Sequence, residues 1–278
     1  MTTATGNTEM KTTTANPSRA SGETPVAGRP SFIRTAAVIL RMTWARTTSL
    51  ALIAGIVGLI LLPMLFAILF ASRGPMSGDA VPFLIDRYDQ LVLALATPII
   101  ALLLGTSAFN AEAEDGTLLY LVTTTTPRWW IALVRVCFAA VLTAALSALA
   151  IWGTGYLVQG NHDRDGITRA FTIAAAFGGA VYASFFTLLS LITRRALVVG
   201  LGYIIFWDGL LSTNFPGIDY ISIRPWTLAI ASEFAEVANE RFDVGPSTTA
   251  ALVGGSLVVL FAVLISTKRL AVPRHGRT

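Results

Sequence analysis

The chain has 278 residues, of which 54% are hydrophobic and 13% charged, with a net charge of +4 and a mean hydropathy of +0.67. Soluble domains are about 25% charged, so this composition predicts an integral membrane protein rather than a soluble enzyme. One cysteine and two histidines are too few for a metal site built from several such ligands. Neither of the two lysines, Lys11 and Lys268, stands in the glycine-rich context that a nucleotide-binding phosphate loop requires, so no cofactor is expected in this chain.

Residues 1–30 are predicted to form a disordered cytoplasmic tail. They are rich in Thr, Ala, Ser, Gly and Pro and have almost no large apolar side chains, so they cannot bury enough surface to offset the entropy lost on ordering. In residues 32–46, apolar side chains recur at helical spacing, and Arg34 and Arg41 share the other side. This pattern predicts an amphipathic helix in the membrane interface, with a cytosolic extension of the first span as the alternative.

Residues 31–270 are predicted to form one all-α transmembrane domain, because six apolar segments in them approach the length that crosses a bilayer. A helix needs about 20 residues to cross a hydrocarbon core ~30 Å thick. The third segment is longer than lipid requires, and the fifth is short, with Asp208 near its end. Asp208 lies either at membrane depth, where ionisable side chains are often functional, or in the interface. The six predicted spans are residues 50–70, 91–109, 130–158, 170–192, 196–211 and 249–266.

The distribution of Lys and Arg predicts the orientation of these spans. If the N-terminus is inside, 14 of the 20 basic residues lie at or beyond the span ends that face the cytoplasm. Cytoplasmic loops retain positive charge, so both termini, including a basic tail at residues 271–278, are predicted to be cytoplasmic in a multi-pass protein of the cell membrane. This topology accounts for the basic composition without nucleic acid as a partner.

The connection at residues 212–247 is the longest one predicted outside the cell. It contains a helix-like stretch at residues 225–241, with glutamates on its polar side, which is expected either to dip into the outer leaflet or to cap a central path. Small residues recur within the predicted spans, Gly178 and Gly254 among them. Small residues permit close approach of helices, including the approach of two copies of the chain.

The most distinctive segment is residues 110–135, NAEAEDGTLLYLVTTTTPRWWIALVR, on the predicted cytoplasmic side between the second and third spans. A glycine follows an acidic cluster and either breaks the helix or permits close backbone approach, a short apolar patch comes next, and Pro127 begins a new helix beside Arg128. Exposed leucines beside carboxylates suit docking on a partner, where the leucines fill a groove and the carboxylates set the orientation. An interfacial turn with solvated charges is the alternative.

The pattern E-x-E-D-G-T-L-x-x-L, followed by P-R-W and an apolar helix, resembles the cytoplasmic loop of ABC-2 type permeases, the membrane subunits of bacterial ABC exporters. Residues 193–225 are also similar to the region around the fifth span of such permeases, and the general layout extends the resemblance over roughly residues 32–270. The resemblance implies that a short coupling helix in this segment contacts an ATPase. The implied contact residues are Glu112, Glu114, Asp115, Gly116, Thr117, Leu118 and Leu121.

The resemblance further implies a division of labour between subunits. A separate cytoplasmic ABC ATPase would bind and hydrolyse ATP, and this chain would be a permease rather than an enzyme. The working unit would be two ATPases and two permease chains, with a homodimer of this chain expected. The sequence does not name the substrate, and export is favoured over import by the resemblance alone.

Two other classes of function are the alternatives. A structural or receptor-like polytopic membrane protein would have the same spans and no ATPase partner. An intramembrane enzyme would need a Ser–His pair, a carboxylate pair or a metal cluster within the spans, and none is apparent in the sequence. His162 and His275 are predicted on opposite faces of the membrane, so they are not expected to meet.

Overall fold

The computed structural model describes residues 37, 41, 49–72, 80–114, 127–160, 163, 166–193, 195–215, 217–235 and 245–271, except for the side chains of 108–114, 128, 213 and 270. No strand occurs in this part of the chain, so the predicted all-α class is confirmed for it. Five of its helices are long and apolar enough to cross a membrane, and a sixth apolar helix, Ala196–Leu211, is shorter.

Seven helices, named α1 to α7, form the described bundle. Four of them match predicted spans to within a few residues: α1 (Leu50–Ala71), α3 (Arg128–Gln159), α4 (Ile167–Ile192) and α7 (Thr248–Ala271). The others are α2 (residues 80–114), α5 (Ala196–Leu211) and α6 (Ile223–Phe234). Helices α1 to α5 alternate in direction, and residues 80, 160, 167 and 248 lie at one end of the bundle, which we call the α6 end, whereas residues 50, 114, 128 and 192 lie at the opposite end. Helix α6 runs in the same direction as α5, because its Thr227 packs on Gly178 of α4 and its Ala229 bonds Thr248 at the start of α7.

Helix α2 begins at Ala80, which corrects the prediction that the second span starts at residue 91. The polar residues before position 91 were interpreted as part of a connection, but the helix continues through them. Two of their charges have partners within the bundle: Asp89 pairs with Arg224, and the Arg87 guanidinium lies over the rings of Phe66 and Phe83 at 5.5 and 5.4 Å. Because these charges are matched, the helical turns that carry them pack rather than face water.

Helices α2 and α5 each contain a π-helical segment, Tyr88–Ala96 in α2 and Tyr203–Leu211 in α5. Each segment contains one buried aspartate, Asp89 in α2 and Asp208 in α5. Long π-helical stretches are rare and often occur at functional sites. Helix α5 has the predicted bounds, but at 1.5 Å per residue it is about 24 Å long, short of a hydrocarbon core ~30 Å thick.

Helix α4 lies at the centre of the bundle and packs against α2, α3, α6 and α7. Its buried face includes Phe171, Tyr182 and Phe186. Helices α1 and α7 are peripheral, with large apolar side chains such as Leu61 and Phe261 about half exposed. An outward apolar face of this kind is what a lipid surround requires, since water would penalise it.

Helix α6 lies inside the bundle and not beyond its end. Its Thr227 packs on Gly178 of α4, and its Trp226 packs on Gly254 of α7. Gly178 comes eleven residues after the start of α4, so this contact is about 16 Å below the end of that helix. The helix-like stretch predicted at residues 225–241 therefore begins two residues early and ends at Phe234, and the chain between α5 and α7 returns into the bundle.

Candidate functional site

The residues predicted to contact an ATPase lie mostly outside the described part of the chain. Glu112 and Glu114 are on the last turn of α2, whose backbone alone is described there. Asp115, Gly116, Thr117, Leu118 and Leu121 lie outside the described residues, as do the predicted tail at 1–30, nearly all of the predicted interfacial helix and residues 272–278. The predicted partner contact therefore stays a prediction, and the site that the structure describes lies elsewhere.

That site is a cluster of polar side chains at the start of α6, which we call the polar cluster: Asp89, Tyr182, Tyr203, Asp208, Ser222 and Arg224. Its residues come from α2, α4, α5 and the first turn of α6 with the residue before it. The site thus joins four elements at a point well inside the bundle.

Arg224 and Asp89 form a bidentate ion pair between α6 and α2. Arg224 Nη2 donates to both carboxylate oxygens of Asp89 at 2.9 Å, and Nε donates to Oδ1 at 3.3 Å. The two side chains are only 20% and 11% exposed. Charge-assisted bidentate bonds are among the strongest in proteins. Removing one partner of a buried pair typically costs about 3–5 kcal/mol, because the other charge is left uncompensated.

Asp208 is 3% exposed and is held by donors on three sides. The hydroxyl of Tyr182 donates to its Oδ2, and the hydroxyl of Ser222 donates to its Oδ1. The main-chain N–H and the guanidinium of Arg224 both attract this carboxylate electrostatically. An ionised carboxylate is an acceptor only, so this set of donors fits its charged form.

The π-helical winding of α5 places Asp208 and Tyr203 on the same side of that helix, where both face the start of α6. Side chains five positions apart point about 140° away from each other on an α-helix, whereas a π-helix pairs residues i and i+5. Tyr203 interacts electrostatically with the Asp208 carboxylate, and its hydroxyl faces the main-chain N–H of Ile223. Two residues of α5 thereby lie against the first turn of α6, whose third residue, Pro225, has no N–H.

Asp208 therefore acts as an N-terminal cap supplied by another helix. Ser222 occupies the N-cap position of α6, but its side chain makes no capping bond and points to Asp208 instead. A carboxylate at a helix N-terminus is stabilised by the partial positive charge of the unpaired N–H groups. The start of α6 is consequently anchored to α5 through the Ser222 hydroxyl and the Asp208 carboxylate.

A row of aromatic rings packs against the polar cluster on the side that faces the opposite end of the bundle. Tyr182 stacks on Phe186 at 6.1 Å between ring centroids, Phe186 meets Tyr203 edge-on at 6.3 Å, and Tyr203 stacks on Trp207 at 6.4 Å. Phe186 lies one turn farther along α4 than Tyr182. These rings keep the cluster in a low-dielectric surrounding, where its ionic contacts are stronger than they would be in water.

The polar cluster holds one cationic side chain for two carboxylates. Asp89 has the guanidinium, and Asp208 has hydroxyl donors together with the electrostatic attraction of the same guanidinium. Arg224 is thus within reach of two anionic partners on two different helices. Among the described residues, no group of three or more His, Cys, Asp or Glu side chains is placed to hold a metal ion.

Sequence reasoning singled out Asp208 but left its position open between membrane depth and the interface; the structure buries it inside the bundle. Asp89, Tyr182, Ser222 and Arg224 were missed as site residues. One signal existed, namely an arginine directly before a proline that begins an apolar helix. Nothing in the sequence pairs that arginine with an aspartate 135 positions earlier.

No protein-family model matches the chain, and no curated protein matches it either.

Proposed function

We propose that this chain is the membrane-spanning permease subunit of an ATP-driven transporter similar to the ABC-2 type, working as an exporter in the cell membrane with a separate cytoplasmic ATPase. The observation that carries the proposal is the segment E-x-E-D-G-T-L-x-x-L at the end of α2. The chain itself is not an enzyme in this proposal and holds no cofactor. A second copy of the chain completes the transport path.

The course of α2 supports this proposal. The helix runs without interruption from Asp89 in the polar cluster to Glu114 at the first residues of the proposed docking segment. At 1.5 Å per residue these positions are about 37 Å apart along the helix. One continuous helix therefore connects the proposed ATPase contact with the polar cluster in the α6 half of the bundle.

The start of α3 gives the segment a second attachment. Residues 115–126 are followed by Pro127, which occupies the N-cap position of α3, and α3 packs against α2 and α4 over its length. Both ends of the proposed docking segment are thus fixed to helices of the central bundle. A force applied to the segment acts on two packed helices, which move as bodies because tightly packed cores resist continuous deformation.

In the proposed mechanism, the two ATPases close on ATP and displace the docking segments of two permease chains. The motion passes along α2 and α3 and changes which side of the membrane the path between the chains faces. The chain needs no nucleotide site of its own for this role. The substrate is left open, since the described residues contain no site of recognisable substrate chemistry.

The test is purification of the tagged chain from native membranes in mild detergent, with ATPase activity measured on the eluate. We expect an ATPase to co-purify with the unmodified chain and to be lost from the double variant Glu114→Ala/Gly116→Trp. The control Asp163→Asn removes a negative charge at the α6 end and should retain the ATPase. Absence of an ATPase under several detergents would contradict the proposal and favour a receptor-like or structural protein. Retention of the ATPase by the double variant would contradict the docking role of the segment that contains Glu114 and Gly116.

A further inference from the structure

We propose that the Asp89–Arg224 ion pair is a breakable latch that keeps α6 seated inside the bundle, and that release of Arg224 from Asp89 lets α6 swing away with α5. The inference rests on the proposed function for its driving force, because displacement of α2 is what separates the pair. The latch itself is a property of the bundle and can be tested without an ATPase.

The attachments of α6 divide between two bodies. Its first turn is fixed to α5 through Asp208 and Tyr203, and a short connection, residues 212–222, joins these two helices in sequence. Its polar link to α2 is the side-chain contact from Arg224 to Asp89. A displacement of α2 therefore strains that ion pair, while α6 stays joined to α5 by the hydrogen bond from the Ser222 hydroxyl to Asp208.

The second carboxylate makes separation of the pair feasible. An arginine that leaves its only buried partner is left as an uncompensated charge, which makes most buried pairs static. Arg224 differs because the ionised group of Asp208, which already attracts it, stays beside its main chain when Asp89 moves. The guanidinium passes from Asp89 to Asp208, so the cation lies beside a carboxylate in both arrangements.

The contacts that hold α6 against α4 and α7 can separate while α6 stays helical. Thr227 and Trp226 rest on glycines of α4 and α7, with no interlocking side chain at Gly178 or Gly254. At the far end, Thr248 of α7 donates to the carbonyl of Ala229 at 3.2 Å and hydrogen-bonds Glu233 at 3.0 Å, which provides a pivot. Release at the start of α6 thus permits rotation about its end.

Two buried threonines allow a matched test. Thr227 on α6 and Thr187 on α4 are both almost fully buried, and each donates its hydroxyl to a main-chain carbonyl of its own helix at 2.6 Å. Cysteine is close to threonine in size, so Thr227→Cys and Thr187→Cys are mild changes. Each is made in a Cys137→Ala chain, because Cys137 is exposed.

The measurement is the rate of maleimide labelling of each cysteine in the purified full chain in detergent micelles. We expect Asp89→Asn to speed labelling at position 227 about tenfold or more, because loss of the latch raises the open population, and to leave position 187 slow. Asp89→Glu keeps a carboxylate and should keep labelling at 227 slow. Equal rates at 227 in the Asn and unmodified chains would overturn the latch, as would faster labelling at both positions, which signals general loosening.

A second arm separates the latch from the proposed function. If an ATPase co-purifies, ATP should speed labelling at position 227 in the chain that retains Asp89. In the Asp89→Asn chain, where the latch is already open, ATP should add little. A positive result in the first arm with no ATPase found would support the latch and count against the proposed function. A co-purifying ATPase whose ATP leaves the rate at 227 unchanged would support the function and overturn the latch as its moving part.

Discussion

The side chain of Asp163 shows how one residue can hold the start of a long helix. Its two carboxylate oxygens accept from the main-chain N–H groups of Thr168 and Arg169 at 3.2 and 3.1 Å. Two of the four N–H groups without an intrahelical partner at the start of α4 are thereby satisfied. The chain turns between Asp163 and α4 at Gly166, whose φ of 65° favours glycine.

We expect Asp163→Ala to lower the free energy of unfolding by about 1 kcal/mol, as for other lost N-terminal caps. Thermal unfolding of the purified chain in detergent measures this. Asp163→Asn is the control, because an amide oxygen still accepts one of the two bonds, and it should fall between the alanine variant and the unmodified chain. An alanine variant as stable as the unmodified chain would show that water replaces the carboxylate at this helix start.

Asp163 was not identified from the sequence as a cap. A capping residue normally stands directly before the first helical turn. Asp163 instead stands five and six positions before the groups that it binds, and it reaches them because of the bend at Gly166. Main-chain geometry of this kind is not encoded in residue type or hydrophobic period, so it could not be predicted.

Between elements, the glycine with the nearest main-chain atoms of another described helix is Gly105, which joins α2 and α4. A Cβ atom at Gly105 would lie 2.9 Å from the carbonyl oxygen of Ala183 and 3.0 Å from the main-chain nitrogen of Thr187. Main-chain atoms of a packed helix cannot turn aside as a flexible side chain can. The two central helices of the bundle are therefore in contact because residue 105 has no side chain.

Gly105→Ala should separate α2 from α4 and destabilise the bundle by about 1–3 kcal/mol, the range for overpacked cores. Gly58→Ala on α1 is the matched control, since it is also a glycine within a helix but has no atom within 4 Å of the added methyl group. It should be neutral or slightly stabilising, because alanine favours helix. Melting temperatures in detergent compare the two, and equal shifts would contradict close packing at Gly105.

The helices themselves were largely predictable, because their apolar runs have the length that a bilayer requires. The start of α2 was not, since Asp86, Arg87 and Asp89 read as polar connection. Their burial depends on partners such as Arg224 and Phe66, which are distant in sequence. Two glycines that the sequence offered for a contact between two chains have neighbours within one chain instead. Gly178 packs against Thr227, and Gly254 packs against Trp226.

For the whole molecule, the helix ends at residues 80 and 160 lie at one end of the bundle, and those at residues 114 and 128 lie at the other. Residues 78 and 162 are close in sequence to the first pair, and residue 125 is close to the second. The excess of Lys and Arg near the second end predicts that it faces the cytoplasm. In a Cys137→Ala chain in intact cells, Gly78→Cys and His162→Cys should react with a membrane-impermeant maleimide, and Thr125→Cys should react only after permeabilisation. Labelling of position 125 in intact cells would reverse the orientation.

The separation of the two latch residues along the chain has a consequence for biosynthesis. Asp89 leaves the ribosome 135 residues before Arg224, which at about 5–20 residues per second corresponds to roughly 7–27 s. Throughout that interval the nascent second helix carries a carboxylate whose partner has not yet been made. The ion pair therefore cannot stabilise this helix in lipid until the last quarter of the chain is translated. In a product that stops before residue 224, the membrane-inserted state of the second helix should be less stable than in the finished protein.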